Sequence, residues 1–540
     1  MFTAKRILAG VLAALLAAAL IGCQPSIDGP EQEPEVPENP VKGGKIIFAG
    51  TEPKTLNPIV NTERDAFHFL KLVFEGLVDY DESLKIKPVL AEDWSISETG
   101  NSCTFTLKDN IKWHDGTPVT SRDVVFTLEY LKALRDADSL YITNIERVAY
   151  FEALSDRSVK VVFDQWFNGA LDIMTFPLLP SHLYTSPQDL AKGSAEFQLV
   201  GTGPYKLKEH KPFKYLALER NPDWWGDEPY IDEVHMQFVV DENTALTSFK
   251  NSEVDAAVAT YPDWERYREE GKSYIKDFTT SKYDFLGLNF TKPVFRDKAL
   301  RQAIQYGINR EMIVDKVYLK HAVMVDTPIP PHAWIHSEDA AGYSYDPEKA
   351  RALLEEAGWA DRDNDGLLEK EIDGEKHDLK FTLLANSENP KRLEAAKMVR
   401  DDLKALGMEV ELKELSWEQL LERVNKKDFD AVILGWNLAN YLDLSFAFHS
   451  NQIEEGSNFV SYRSEEMDDL LQRDFWATEE LRQETSAEVQ KHIAEELPYN
   501  SLYFKTAALL VKNRVRGEVE PRDHNIFLNI EKWYIPERQQ

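Results

Sequence analysis

Ile111-Lys112-Trp113-His114-Asp115-Gly116-Thr117-Pro118-Val119-Thr120-Ser121-Arg122-Asp123-Val124 is the stretch on which the reading of the fold turns. Just before it, residues 104–112 alternate apolar and polar, the period of a half-buried strand. His114 to Pro118 then gathers the residues of a tight turn. Asp bonds its own backbone two residues on, Gly reaches positive φ, and Pro fixes its own φ. Residues 121–134 follow with a helical period and Ser121 as a plausible N-cap. Strand, turn and helix thus follow one another closely.

Outward from this unit the mixture continues along the chain. Residues 45–49 read as a first strand closed by Gly50, Pro53 and Pro58. Strand patterns recur at 159–163, 215–219, 234–240, 379–384, 409–415 and 431–434. Helical periods cover 65–78, 243–250, 299–317, 347–357, 392–406, 417–424 and 464–480. No fixed repeat runs through them, and the class is mixed α/β. A chain of 540 residues exceeds one ordinary core, so two or three domains are expected. Its 43% hydrophobic content, with 25 Gly and 26 Pro spread along it, is that of a globular protein.

The N-terminus differs from the rest. Lys5-Arg6 precedes an apolar run from Ile7 to Gly22, which reads as an export signal and is short for a membrane span. It ends in Leu20-Ile21-Gly22-Cys23, which resembles the lipobox of bacterial lipoproteins. That resemblance implies a signal at 1–22, cleavage before Cys23 and a diacylglycerol on its thiol, a two-chain anchor at the outer face of the cytoplasmic membrane or on the periplasmic side. Residues 23–42 are rich in Pro and Glu, and read as a disordered tether. A formal net charge of −31 argues against nucleic-acid binding and against a polybasic membrane patch. With Cys23 lipidated, Cys103 stands alone, and its alternating surroundings make it a buried strand thiol.

Several stretches, in order, resemble the family 5 extracellular solute-binding proteins, the oligopeptide- and dipeptide-binding components of ABC importers. They are Thr51-Glu52-Pro53-Lys54-Thr55-Leu56-Asn57-Pro58, then Pro88-Val89-Leu90-Ala91-Glu92-Asp93-Trp94 with the 111–124 stretch. Gly201-Thr202-Gly203-Pro204-Tyr205, Leu286-Gly287-Leu288-Asn289-Phe290 and Leu300-Arg301-Gln302-Ala303-Ile304 follow. Asp346-Pro347-Glu348-Lys349-Ala350, Ala357-Gly358-Trp359 and Glu496-Leu497-Pro498-Tyr499 complete the series. The resemblance implies a periplasmic-binding-protein-like α/β fold (type II, cluster C-like) with two lobes closing on ligand and an extra third domain. It would place residues 43–80, 201–279 and 507–540 in the first lobe, 81–200 in the extra domain, and 280–506 in the second lobe.

The same resemblance supplies the site. Trp417 and Trp436 are expected to pack on ligand side chains, and Gly435 and Asn437 to offer backbone groups to an extended peptide. Tyr283 and Phe285, near the crossing between lobes, would flank the ligand, while Glu52 and Thr55 would reach it from the first lobe. Tyr261 and Trp264 are as readily read as loop aromatics covering a core edge. Peptide-binding relatives carry an Asp three residues after the Trp, where it pairs with the peptide's ammonium. Here that position is Ala439, and Asp443 is the acid that could take its place. Without that acid, the same receptor role for an oligosaccharide or a metal chelate is the alternative.

The remaining motifs carry less. His114-Asp115 belongs to the structural turn. Asp361, Asp363 and Asp365 have the spacing of a calcium loop, but Ile372 stands where the twelfth-position acid belongs, which favours a solvated turn over weak calcium binding. No nucleophile elbow, zinc-protease helix or phosphate loop occurs, so no catalytic residues and no cofactor are expected. The 93 acidic residues keep a membrane-anchored hydrolase as a further alternative. The expected partners are a small solute, peptide first, and the permease subunits, with the receptor itself a monomer.

Overall fold

The structure, a computed structural model, describes residues 39–540 except 99, 135–138, 140, 143–144, 194–195 and 341. The expected signal, the lipidation site Cys23 and nearly all of the tether lie outside the described residues.

Eleven strands form one sheet. In chain order they are β1 (Lys45–Thr51), β2 (Tyr205–Lys211), β3 (Tyr215–Arg220), β4 (Glu233–Val239), β5 (Ala256–Ala259), β6 (Ser273–Leu288), β7 (Ala322–Met324), β8 (Lys380–Asn386), β9 (Glu409–Leu415), β10 (Ala431–Asn437) and β11 (Tyr499–Lys512). Across the sheet they run β9-β8-β10-β6-β11-β5-β1-β4-β3-β2, with β7 on β11. β1 lies parallel to β4 and β5, and β8 parallel to β9 and β10, whereas β6 is antiparallel to both its neighbours.

Only β6 and β11 serve both halves of this sheet. Their stretch from Ser273↔Lys512 to Thr279↔Thr506 continues into β5 through the pairs Ala256↔Val511 to Ala259↔Ala508. Their other stretch, Tyr283↔Phe504 to Gly287↔Tyr499, continues into β10 through Tyr283↔Trp436 and its neighbours. Between the two stretches the register shifts, from Thr279 to Tyr283. The unpaired residues find other partners there: Thr280 Oγ1 donates to the Lys505 carbonyl, and the Ser281 amide donates to Asp523 Oδ2. A bulge of this kind bends a strand and re-aims its side chains.

A second, four-stranded antiparallel sheet runs Ala91–Ile96, Ser102–Leu107, Ser158–Phe163, Val148–Ser155 in spatial order. Helix Ser121–Ala133 packs against it. The helix begins with a capping box in which the Asp123 carboxylate accepts from the Thr120 amide, an arrangement that contributes about 1 kcal/mol. The cap is therefore Thr120. Ser121 is the first helical residue and turns its hydroxyl to the Ser155 carbonyl.

Other expectations shift for identifiable reasons. The helix expected over 65–78 ends at Leu70, and the chain re-forms as strand Val78–Tyr80. The period over 299–317 divides into Lys298–Gly307 and Arg310–Val317, because the Asn309 side chain caps the second helix through the Met312 amide. Likewise 464–480 resolves into Glu465–Phe475 and the start of Glu479–Glu496, with a break at Trp476 to Thr478. Tyr283 and Phe285, expected near the crossing between lobes, lie within β6.

Candidate functional site

A cavity of about 510 Å³ lies where the bulge of β6 meets the end of β10. Helix Arg64–Leu70 forms one wall and Gly169 to Thr175 another, and Ser281-Lys282, the segment 437–441, Asp523-His524 and Asp79-Tyr80 add to the lining. The bulge accounts for Lys282: strand alternation is interrupted at 280–282, and the lysine lines the cavity opposite its register partner Asn437. Beyond Phe67, Lys71, Asp79, Tyr141 and Thr175, which line both, a second chamber of about 360 Å³ reaches Glu75, Trp224 and Trp225.

The charges on these walls are largely paired. Arg64 bonds Asp523 at 3.0 Å, and Lys71 bonds Asp79 at 2.8 Å. Burial works to raise the Asp79 pKa, but the Lys71 ammonium outweighs it and the net direction is down. Asp172 differs. Its Oδ1 accepts from the Tyr80 hydroxyl at 2.8 Å, burial raises its pKa, and it forms no ion pair among the described residues. Lys282 likewise has no ion-pair partner among the described residues; desolvation and then Arg64 lower its pKa.

Two buried histidines, His68 and His524, also line the cavity, exposed by 1% and 4%. Both nitrogens of His68 and Nε2 of His524 are buried without a hydrogen-bond partner among the described residues. Desolvation, reinforced by Arg64 and Lys71, drives the His68 pKa well down; desolvation with Lys71 takes His524 to about 3. Both rings are therefore neutral at pH 7 and offer lone pairs. In the second chamber the Glu75 carboxylate accepts from Thr202 Oγ1 and from the Trp224 and Trp225 indoles at 2.9, 3.2 and 3.0 Å. Burial outweighs those bonds and raises its pKa to about 7.

Of the residues singled out from the sequence, Asn437 lines the cavity, and so does Ala439. Trp436, its neighbour on β10, packs instead among Phe285, Phe446 and Phe459, with ring centroids 6.4, 5.2 and 5.9 Å away. Tyr283 and Phe285 are fully buried in the same aromatic layer, and the Tyr283 hydroxyl meets Ser501 Oγ at 2.7 Å. Trp417 is 40% exposed at the first turn of helix Trp417–Asn425. Glu52 accepts from the Phe213 amide, and Thr55 Oγ1 from the Asn57 amide. Asp443 accepts from the Ser445 amide at 2.9 Å and lines a separate depression beside Arg147 and His449.

Gly435 owes its identity to packing: a Cβ there would stand 2.2 Å from Asp284 Oδ1 and 2.6 Å from Arg392 Nη2. In the acidic loop, Asp361 and Asp363 converge with Glu369 to within 4.8 Å, while Asp365 turns to the Leu367 amide and Asp363 pairs with Lys376. Tyr261 is 61% exposed and Trp264 is fully buried.

The fold is that of the periplasmic binding proteins, mixed α/β receptors of the two-lobed kind with an extra domain. The family model for bacterial extracellular solute-binding proteins, family 5 (middle) matches residues 85–458, and the chain belongs to that family. It is 29% identical to the oligopeptide-binding protein AppA of Bacillus subtilis (strain 168), over 96% of this chain and 97% of the relative. It is 26% identical to the dipeptide-binding protein of Escherichia coli (strain K12), over 88% and 92%. Among solved structures, AppA in complex with a nonapeptide superposes with a TM-score of 0.65 at 28% identity, covering 92% of this chain and all of that one. NikZ from Campylobacter jejuni in complex with Ni(L-His) gives 0.66 at 25%, with the same coverage.

Proposed function

We propose that the chain is the receptor of an ABC importer, capturing peptides outside the cytoplasmic membrane and handing them to the transmembrane permease subunits. The observation that carries this reading is the cavity of about 510 Å³ beside the register break from Thr279 to Tyr283 in the strands shared by both halves of the sheet. Motion about that break would close the halves over a solute. Likeness to AppA and to the dipeptide-binding protein supports peptide as the solute. The neutral, unpartnered histidines support binding over catalysis, since no described nucleophile is hydrogen-bonded to them.

In this reading the first lobe comprises 43–80, 201–279 and 507–540, the extra domain 81–200, and the second lobe 280–506. The pair Thr279↔Thr506, last before the register shift, supports those limits. Asn437 contacts the solute, and Trp436, Tyr283 and Phe285 stiffen the wall behind it. Cys23 carries the lipid anchor of a monomeric receptor, supported by the lipobox pattern. Native mass spectrometry of the protein as purified should show bound peptides of mixed mass. An empty preparation that also gives no thermal shift across a peptide library would refute the reading.

One observation favours a metal chelate as a second reading. His68 and His524 line the cavity with neutral rings whose buried nitrogens lack hydrogen-bond partners among the described residues, a donor type that suits a transition metal, and NikZ was solved with Ni(L-His). Calorimetric titration with nickel and L-histidine distinguishes the two, because a peptide receptor would show no heat of binding.

A further inference from the structure

The charges that line the cavity sort into two kinds. Arg64 with Asp523 and Lys71 with Asp79 are closed pairs. Asp172 and Lys282 are left open: each lines the cavity, and neither meets an opposite charge within ion-pair distance among the described residues.

Asp172 opens the short 3₁₀ turn Asp172–Thr175, and among the described residues its one hydrogen-bond donor from a side chain is Tyr80. The cation whose charge acts on it, Arg482, directs its Nη groups to the carbonyls of Asn168 and Tyr441. That arrangement bolts the 168–172 segment to the 439–442 loop, so Asp172 borders the place where Ala439 leaves no acid. The two segments also line a small neighbouring pocket together, through Asp172, Asn440 and Tyr441. A carboxylate taken partly out of water without a cation is costly, and a ligand ammonium would supply the missing partner with a charge-assisted hydrogen bond. Lys282 stands on the bulge, exposed to the cavity, and its ammonium is free for a carboxylate.

We infer that Asp172 and Lys282 form a dipolar cradle, Asp172 taking the free ammonium of a peptide and Lys282 its carboxylate, so that the amine anchor comes from the 81–200 segment and not from the loop after Trp436. This rests on the peptide reading above and adds to it a requirement for free termini at both ends.

Alanine peptides of two to nine residues, each with free ends, N-acetylated or C-amidated, provide the probe, with affinity measured by titration calorimetry. The wild type should bind at least one free peptide and lose roughly ten-fold or more on blocking either end. Asp172→Asn should weaken the free peptide by a similar factor and abolish the penalty for acetylation alone. Lys282→Met should abolish the penalty for amidation alone. A wild type that binds free and acetylated peptides equally overturns the inference without any variant, even if Asp172→Asn folds poorly. Variants that keep both penalties intact also overturn it, while leaving the peptide reading in place. A wild type that binds none of the peptides overturns the inference, and the peptide reading falls with it when the purified protein is also empty and gives no thermal shift across a peptide library.

Discussion

Arg392, on helix Pro390–Lys404, grips Asp284 of β6 through two hydrogen bonds, Nε to Oδ2 at 3.1 Å and Nη2 to Oδ1 at 2.7 Å. Lys505 of β11 adds a third contact at 3.1 Å, so one carboxylate ties the helix to the two strands that serve both halves. Burial would raise the Asp284 pKa, yet Lys505 and Arg392 together hold it below the usual carboxylate value. Replacing Arg392 by Met should cost about 3–5 kcal/mol, because a buried charge loses its bidentate partner. Urea unfolding at pH 7 measures the loss. Since the folded pKa is depressed, this contribution is present above the unfolded value near 4 and fades as pH falls through the folded one.

Gly435→Ala should act on the same pair. The new methyl group would press on both Asp284 Oδ1 and Arg392 Nη2, and on the Tyr283 carbonyl at 2.6 Å. The expected cost is about 1–3 kcal/mol. In a double-mutant cycle with Arg392→Met the two losses should be clearly non-additive, because they disrupt one arrangement. Simple additivity would mean that the glycine is there for another reason.

His524 predicts acid sensitivity. Its pKa is about 3 in the folded chain, against about 6.5 when unfolded, so the unfolded state takes up the proton first. The stabilisation is complete above pH 6.5 and lost on the way down to 3, a loss of about 2–3 kcal/mol by pH 4.5. Glu75 works in the opposite sense: a folded pKa of about 7 makes its contribution complete below pH 4.5 and lost as pH rises through 7. His524→Gln should flatten the acid limb of a Tm-against-pH curve, and Glu75→Gln the limb between 4.5 and 7. A curve unchanged by either substitution would contradict the assignment.

Cys103 should be inert in the native protein. It is fully buried in the strand Ser102–Leu107, and burial pushes its thiol pKa up to about 12. A preparation beginning at residue 39 should release no thionitrobenzoate from Ellman's reagent until denatured, then one equivalent. Rapid labelling at neutral pH without denaturant would show that the second sheet opens locally.

The short, half-exposed strands and the amphipathic helices were legible in the sequence because their periods survive; β3, β4 and β9 match within a residue. The middle of the sheet was not. Helices and loops cover both faces of β11, so nearly every residue from Tyr499 to Lys512 is buried and no alternation remains to read. Helix ends misled where one side chain decides, as Asn309 does. For the site, the family pattern led to the neighbourhood of β10, and Asn437 and Ala439 lie on the cavity. It also drew attention to aromatic residues such as Trp436 and Phe285 that stack behind the wall. Asp172 and Lys282 carry no local signature: one begins a short turn and the other sits on a bulge, and only the assembled sheet brings them to one cavity.

The central position of β11 also fixes when the molecule can be finished. It is the last strand in the chain, yet β5 and β6 both hydrogen-bond to it, and the core beneath them draws on Val515, Phe527 and Trp533 further on. A chain emerging N-terminus first therefore has every other strand outside before its midline exists. Until then β5 and β6 present open edges to their surroundings, so the growing chain depends on late pairing over long sequence separations, and interruption at any earlier point leaves a receptor with no middle.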